Sequence, residues 1–278
     1  TCKKSNFDSD WLTIKHDGEK RGYLVHQPPT LNCTKPTSLI IAMHGGVGSP
    51  KNIEEQSGLS TLADSEGFLV CYPKGENRTW NAEGCCGKAA EKNRDDVGFI
   101  SAVIDELLGN YNINPNKVYA TGMSNGGFMA YRLACELPNK IAAIAPVAAS
   151  MSLSVCSPGA AVPVLAIHSY QDKSVPWQGG TGNGLSDHHN APLDSVLNAW
   201  AAHNGCGVLD ELTYNGTDYD QRDWSNCTDS ALVRLLITHD GGHSWPMGTK
   251  PTRNSDDGST AINASTLMWE FFQAHPRQ

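Results

Sequence analysis

Residues 122–126 read Gly-Met-Ser-Asn-Gly and lie between an apolar run at 117–121 and a helix-like segment at 128–137. A Gly-x-Ser-x-Gly in a strand-to-helix setting is typical of a nucleophile elbow. That turn is so tight that the residues two positions from the serine must lack side chains. It presents the serine hydroxyl above a sheet edge, at the N-terminus of the following helix. The alternative is an ordinary glycine-rich turn, and the pattern alone favours neither.

Predicted strands and helices alternate along the chain. We predict strands at 11–15, 21–26, 38–43, 68–72, 117–121, 141–147, 162–167, 209–214, 219–224 and 232–238. We predict helices at about 53–66, 95–110, 128–137, 192–204 and 260–275, and long loops at 74–94 and 179–190. This alternation specifies an α/β fold, a mostly parallel sheet with helices on both faces. The sequence has no repeat and no linker, so we expect a single domain over residues 1–278.

Serine is a poor nucleophile unless a base accepts its proton and an acid orients that base. In folds with this elbow the acid and then the histidine follow the serine, in loops after later strands. Asp172 follows the strand predicted at 162–167, and His243 follows the strand at 232–238, after two glycines that allow the loop to bend back. The sequence therefore predicts catalytic Ser124, Asp172 and His243. Asp240 is a rival acid, but three residues before His243 it is better explained as a turn residue.

An acyl-transfer site also needs hydrogen-bond donors for the oxyanion. Residues 44–48 read His-Gly-Gly-Val-Gly and follow the strand predicted at 38–43, where this fold supplies a backbone amide. We assign the oxyanion hole to the amides of Gly46 and Asn125. A flexible loop or a phosphate-binding turn is the alternative, but neither the Rossmann glycine spacing nor a Gly-Lys-Ser/Thr follows.

With these motifs the chain resembles carbohydrate esterase family 1 and related polyhydroxybutyrate depolymerase-like proteins, which are α/β-hydrolases. The resemblance covers about residues 21–269, through the segments 44–46, 84–87, 95–99, 118–127, 131–136, 168–176 and 241–246. By position it implies the same nucleophile, acid and base. The chain departs from the family with Ser169 in place of a frequent glycine and Trp177 in place of a frequent tyrosine. Ser-Asn-Gly-Gly at the elbow is more similar to the feruloyl and acetylxylan esterase branch than to polyester depolymerases.

Three tryptophans, Trp80, Trp177 and Trp245, lie in loops expected near the catalytic edge. Exposed indoles there could stack on sugar rings or on a phenolic acyl group, so they are candidate substrate-binding residues. Each could equally cover the edge of the core.

Cofactor and metal sites are not predicted. His188 and His189 with Asp187 could suggest metal ligands, but adjacent side chains diverge and no third ligand is evident, so a surface loop is the better interpretation. His168 is expected to pack or hydrogen-bond behind the acid loop. The net charge of −8 argues against nucleic acid, and the absence of an apolar run near 18 residues argues against a membrane span. We expect a polysaccharide or small ester as the partner, and the sequence is compatible with a monomer.

Nine cysteines are many for a reducing compartment. They include no Cys-x-x-Cys pair, so disulfides and a secreted protein are the interpretation. Cys206 and Cys227 flank the hairpin predicted at 209–224 and form the first predicted disulfide. Cys135 with Cys156 is a second candidate pair, and the odd count leaves one thiol free or paired outside the chain.

The sequence thus predicts a secreted serine esterase that removes feruloyl or acetyl groups from plant polysaccharide such as xylan. Two alternatives stay open. One is a hydrolase of short-chain polyesters such as polyhydroxybutyrate. The other is a non-catalytic secreted protein that keeps the fold and binds carbohydrate.

Overall fold

The computed structural model describes residues 9–278 except 33, 153–155 and 185–186. Ten of its strands form one sheet, and two short strands form a second. In chain order the strands are β1 (Asp10–His16), β2 (Glu19–His26), β3 (Thr37–Met43), β4 (Leu69–Pro73), β5 (Ile113–Met123), β6 (Ala143–Val147), β7 (Val164–Ser169), β8 (Gly180–Thr181), β9 (His189–Asn190), β10 (Val208–Asn215), β11 (Tyr219–Ser225) and β12 (Val233–Thr238). The helices are α1 (Pro50–Ser57), α2 (Leu59–Glu66), α3 (Gly87–Glu91), α4 (Asp96–Asn110), α5 (Asn125–Glu136), α6 (Leu193–His203) and α7 (Ala264–Ala274).

The large sheet has the strand order β1-β2-β4-β3-β5-β6-β7-β12-β11-β10. Its six central strands, from β4 to β12, pair in parallel. An antiparallel hairpin closes each end, β1 with β2 at one end and β10 with β11 at the other. The carboxyl ends of β3, β5, β6, β7 and β12 therefore meet at one edge, where the predicted site residues follow them.

Helices cover both faces of the sheet. Successive side chains of a strand point to opposite faces, so a continuous apolar strand has apolar side chains to bury on each face. On β3, Leu39 and Ile41 belong to the core cluster shared with α4, α5 and α6. Ile40 and Ala42 between them belong to the cluster shared with α1, α2 and α7. The continuous apolar run is thus buried on both sides. This arrangement is the mostly parallel, two-faced sheet that the sequence predicts.

Several predicted elements differ in their bounds; for example, the strand predicted at 117–121 is β5, which begins at Ile113. The helix expected at 53–66 is two helices, because Gly58 has a left-handed φ of 64° and ends α1. The last helix begins at Ala264 rather than near 260, since the Asn263 side chain accepts a hydrogen bond from the amide of Thr266 and caps it. The long loop at 74–94 contains the short helix α3.

Disulfides join Cys206 to Cys227 and Cys135 to Cys156, as predicted. A third joins the adjacent residues Cys85 and Cys86. Within the described part of the chain, Cys71 is a buried free thiol. No helix in that part is long and apolar enough to cross a membrane.

Candidate active site

Ser124 lies at the turn between β5 and α5, with φ 53° and ψ −124°. Few residues other than glycine adopt a positive φ without strain. The turn is also crowded: a Cβ on Gly122 would lie 2.5 Å from the carbonyl of Gly126, and a Cβ on Gly126 would collide with the carbonyl of Met43. Both glycines of the motif are therefore required sterically. The local geometry is that of the predicted nucleophile elbow, with Ser124 at the N-terminus of α5.

Asp172 and His243 form a direct pair at the same edge of the sheet. The Nδ1–H of His243 donates to Asp172 Oδ2 at 2.8 Å. The other carboxylate oxygen accepts the backbone amides of Ser174 at 2.9 Å and Val175 at 2.8 Å. The Asp172 side chain is fully buried, whereas that of His243 is 17% exposed. This arrangement fixes the imidazole tautomer and leaves Nε2 as the proton acceptor.

The surroundings keep Asp172 ionised. Burial opposes its charge, but the hydrogen bond from His243 and the amide of Val175 outweigh burial, so the pKa of Asp172 lies below its ordinary value. A charged acid in this position stabilises the imidazolium that forms when His243 accepts a proton.

Two other residues near the pair have structural roles. His168 is buried and donates from Nε2 to the carbonyl of Val175 at 2.8 Å, behind the acid loop as predicted. Burial lowers the pKa of His168, which keeps this ring neutral. The rival acid Asp240 instead accepts hydrogen bonds from Ser259 and Thr260, in the segment that precedes α7. The acid that contacts His243 Nδ1 is Asp172.

The loop after β3 contacts the elbow directly. A Cβ on Gly45 would lie 3.5 Å from the Cβ of Ser124, which is ordinary van der Waals contact, so the Gly45 backbone lies directly beside the serine. The next residue, Gly46, is half-buried, and Asn125 opens α5 on the other side of the serine. The two amides predicted as oxyanion donors thus belong to segments that meet at Ser124, and their role stays a prediction.

His44 anchors the base of this loop. Its Nδ1–H donates to the carbonyl of Gly45 at 2.8 Å, and its Nε2 accepts the amide of Gly75 at 3.0 Å. Burial, with smaller contributions from Arg78 and Lys74, lowers the pKa of His44 to about 4. The ring is therefore neutral at ordinary pH, and each nitrogen has a defined partner.

The structure corrects the expectation for two of the tryptophans. Trp80 is 0% exposed and Trp245 is 1% exposed, so neither offers a face to a sugar ring. Both indole N–H groups bond inside the protein, Trp80 to the carbonyl of His44 at 2.9 Å and Trp245 to Ser265 Oγ at 3.1 Å. A large ring with a satisfied N–H is stable in the core. Trp177 is half-buried, edge-on to Tyr170, and remains a candidate substrate contact.

Sequence reasoning missed two exposed apolar residues in the catalytic loops. Val47 lies in the loop that carries Gly46, and Met247 lies four residues after His243; they are 51% and 57% exposed. Both have a positive φ, 54° and 58°, which residues with a Cβ rarely adopt. The loop conformation therefore imposes this backbone geometry on two exposed apolar residues. The sequence signal that could have found them is an apolar residue next to a glycine in each of these two loops.

The predicted loop histidines do not form a ligand set with each other. The His188 ring lies edge-on to Phe128 on α5, while Asp187 and His189 are exposed. In the described part of the chain, the side chains that could share a metal ion are His16, Asp17 and Asp95. Asp95 already caps α4, since its side chain accepts from the amide of Gly98.

Comparison with known proteins gives a consistent family. The family model described as "Putative esterase" matches residues 15–231. The chain is 31% identical over 268 residues to "Putative esterase NocK" of Nocardia uniformis, covering 90% of this chain and 77% of that protein. It is 31% identical to a "Bifunctional acetylxylan esterase/xylanase" of Neocallimastix patriciarum, covering 83% of this chain and 32% of that longer protein. It is 28% identical to "Probable feruloyl esterase C" of Aspergillus flavus, covering 93% of this chain and 86% of that protein.

Among solved structures, the fold is similar to that of the acetyl xylan esterase from Aspergillus awamori. The TM-score is 0.64 at 15% sequence identity, over 95% of this chain and 99% of that one. At this identity the similarity shows the fold alone, and that fold is the α/β-hydrolase fold expected from the sequence.

Proposed function

This chain belongs to the esterase family, a family of carboxylic-ester hydrolases, and from that premise we propose that it removes feruloyl or acetyl groups from plant cell-wall polysaccharide such as xylan. The observation that carries the proposal is the buried Asp172 bonded to His243 Nδ1 at the sheet edge where Ser124 follows β5. A strained serine and an oriented histidine are the two parts that acyl transfer to an enzyme requires.

The proposed reaction has two halves. His243 Nε2 accepts the proton of Ser124 as Oγ attacks the ester carbonyl, and Asp172 stabilises the imidazolium. The amides of Gly46 and Asn125 donate to the oxyanion, the imidazolium protonates the leaving sugar hydroxyl, and the acyl group stays on Ser124. Water, deprotonated by His243, then attacks the acyl-enzyme, the bond from the acyl carbon to Ser124 Oγ breaks, and the imidazolium returns the proton to Ser124 as the acid is released.

The substrate class is proposed from the relatives. Two of them are named for acetylxylan and feruloyl esters, and they match 83% and 93% of this chain. Trp177, Val47 and Met247 are the apolar side chains at this edge that could meet an acyl group or a sugar face. A secreted protein is proposed from the disulfides, which persist in oxidising compartments.

The variant Ser124→Ala tests the nucleophile. We expect it to lose hydrolysis of p-nitrophenyl acetate and labelling by a fluorophosphonate, while its circular dichroism and melting temperature match those of the wild type. Activity equal to the wild type would refute the proposed mechanism.

The acyl group is tested by assaying the wild type on acetylated xylan, methyl ferulate and polyhydroxybutyrate. Release of acetate or ferulate supports the proposed substrate class. If the enzyme clears a polyhydroxybutyrate suspension and releases neither acetate nor ferulate, the substrate is a polyester instead. If the protein binds xylan but is not labelled by the fluorophosphonate and cleaves none of these esters, its function is carbohydrate binding instead.

A further inference from the structure

Trp80 is completely buried in the loop between β4 and α3, and it contacts both segments that flank the nucleophile. Its indole Nε1–H donates to the carbonyl of His44 at 2.9 Å. Its ring lies 5.0 Å from the His44 imidazole, centroid to centroid. One side of Trp80 thus fixes the start of the loop that carries Gly46.

The backbone of Trp80 fixes the other segment. Its amide donates to Asn125 Oδ1 at 2.7 Å, and its carbonyl accepts from Asn125 Nδ2 at 3.0 Å. The carboxamide of Asn125 is therefore satisfied in both directions by one residue. Asn125 is 2% exposed and directly follows Ser124, so this pair of bonds sets where its own backbone amide lies.

From these contacts we propose that Trp80 is a positioning residue of the oxyanion hole. It links the two segments whose amides, those of Gly46 and Asn125, are assigned to the oxyanion, and so keeps their separation fixed. The inference rests on the proposed function, because it assumes acyl transfer at Ser124. Trp80 does not touch substrate; it acts through the residues that do.

The link matters because oxyanion donors stabilise a transition state only when they are aimed in advance. A shift of about 1 Å in such a group costs on the order of 100-fold in rate. Trp80 hydrogen-bonds to both His44 and Asn125 and so bridges the two segments. Losing the indole N–H would release the His44 carbonyl while leaving the ring to fill the core.

The test variant is Trp80→Phe, which keeps a buried aromatic ring and removes the N–H. The matched control is Trp200→Phe, since Trp200 is 2% exposed and its N–H also donates to a backbone carbonyl, that of Val162, at 2.8 Å. Trp200 lies on α6, and its ring packs against Tyr131, seven residues after Ser124 on α5. The two variants therefore lose the same kind of bond in different places.

We expect Trp80→Phe to lower kcat for p-nitrophenyl acetate by about 10- to 100-fold with KM within about twofold. Affinity for a trifluoromethyl ketone, whose adduct with Ser124 carries an oxyanion, should weaken by a similar factor. Trp200→Phe should keep both values and lose less melting temperature than Trp80→Phe, because the Val162 carbonyl still accepts from Asn204 Nδ2 at 2.8 Å.

A second variant keeps the test independent of folding effects at Trp80. Asn125→Asp retains the acceptor for the Trp80 amide but sets a carboxylate oxygen against the Trp80 carbonyl. Each variant breaks one of the bonds by which Trp80 connects His44 to Asn125. Once that connection is broken, a second break adds little, so the kcat of the double variant should be close to that of the less active single variant. Equal kcat in Trp80→Phe and Trp200→Phe, or losses that multiply in the double variant, would overturn the inference. If the wild type cleaves no ester at all, it is the proposed function that fails.

Discussion

Asp172 and Asp240 show how single residues are sorted by their hydrogen bonds. Both are aspartates in loops that follow parallel strands, and both could in principle orient His243. Asp172 accepts the His243 Nδ1–H at 2.8 Å, and Asp240 accepts from Ser259 and Thr260 instead. The sequence argument sets Asp240 aside because it lies only three residues before His243, and these contacts agree with that choice.

We predict that Asp172→Asn lowers kcat by about 10⁴-fold, because an amide that donates to Nδ1 fixes the wrong imidazole tautomer. The matched control is Asp240→Asn, whose kcat should stay within about threefold of the wild type. Steady-state kinetics on p-nitrophenyl acetate measure both. If Asp240→Asn loses the larger share of kcat, the acid has been misassigned.

Residue types with two uses are the ones the sequence could not settle. A tryptophan in a loop can stack on a ligand or fill the core, and only its surroundings decide. Trp80 and Trp245 are buried with bonded N–H groups, whereas Trp177 is half-buried. The tight turn at Ser124 was easier to predict, because glycines at 122 and 126 form a distinctive pattern with one steric cause.

At the scale of elements, strands were predictable where the local pattern of apolar side chains determines them. The run 38–43 was predicted as a strand buried on both faces and is found as β3. The helix break at Gly58 was missed, because one glycine in an apolar periodic segment is compatible with a continuous helix. The packing of α1 and α2 against β4, which requires the break, is not a local property of the sequence.

The loop after β3 is expected to depend on pH through His44. The native pKa is about 4, below the ordinary value near 6.5, so the unfolded chain takes up a proton first as pH falls. The stability contributed by neutral His44 is complete above pH 6.5 and is lost progressively down to about pH 4. The total loss from this group is about 3 kcal/mol.

We predict that His44→Gln, which keeps an acceptor for the Gly75 amide, flattens the fall in unfolding free energy between pH 7.5 and 4.5. Urea unfolding at a series of pH values measures the slope. The control His189→Gln changes an exposed ring and should follow the wild-type profile. A His44→Gln slope as steep as that of the wild type would contradict the assigned cause.

At the scale of the whole molecule, the central parallel strands carry the candidate site, and two long-range disulfides tie helices to neighbouring segments. Cys206–Cys227 ties the end of α6 to the end of β11, beside the hairpin that closes the sheet. Cys135–Cys156 ties the end of α5 to the segment after β6. The alternation of strands and helices predicted the sheet, but nothing in the cysteine spacing alone predicted Cys85–Cys86 as a pair.

Both long-range disulfides close loops with a sequence separation of 21. Since loop-closure entropy depends mainly on loop length, each should contribute about 3 kcal/mol to the free energy of unfolding. We predict that Cys206→Ser with Cys227→Ser, and Cys135→Ser with Cys156→Ser, lower it by similar amounts and leave kcat unchanged. The quadruple variant should lose about the sum, because the two bridges close separate stretches of the chain, 135–156 and 206–227. Urea unfolding and p-nitrophenyl acetate kinetics measure the two quantities. If removing either bridge lowers kcat, that bridge helps to hold the catalytic edge in place. Its loss would then affect both the free energy of unfolding and catalysis.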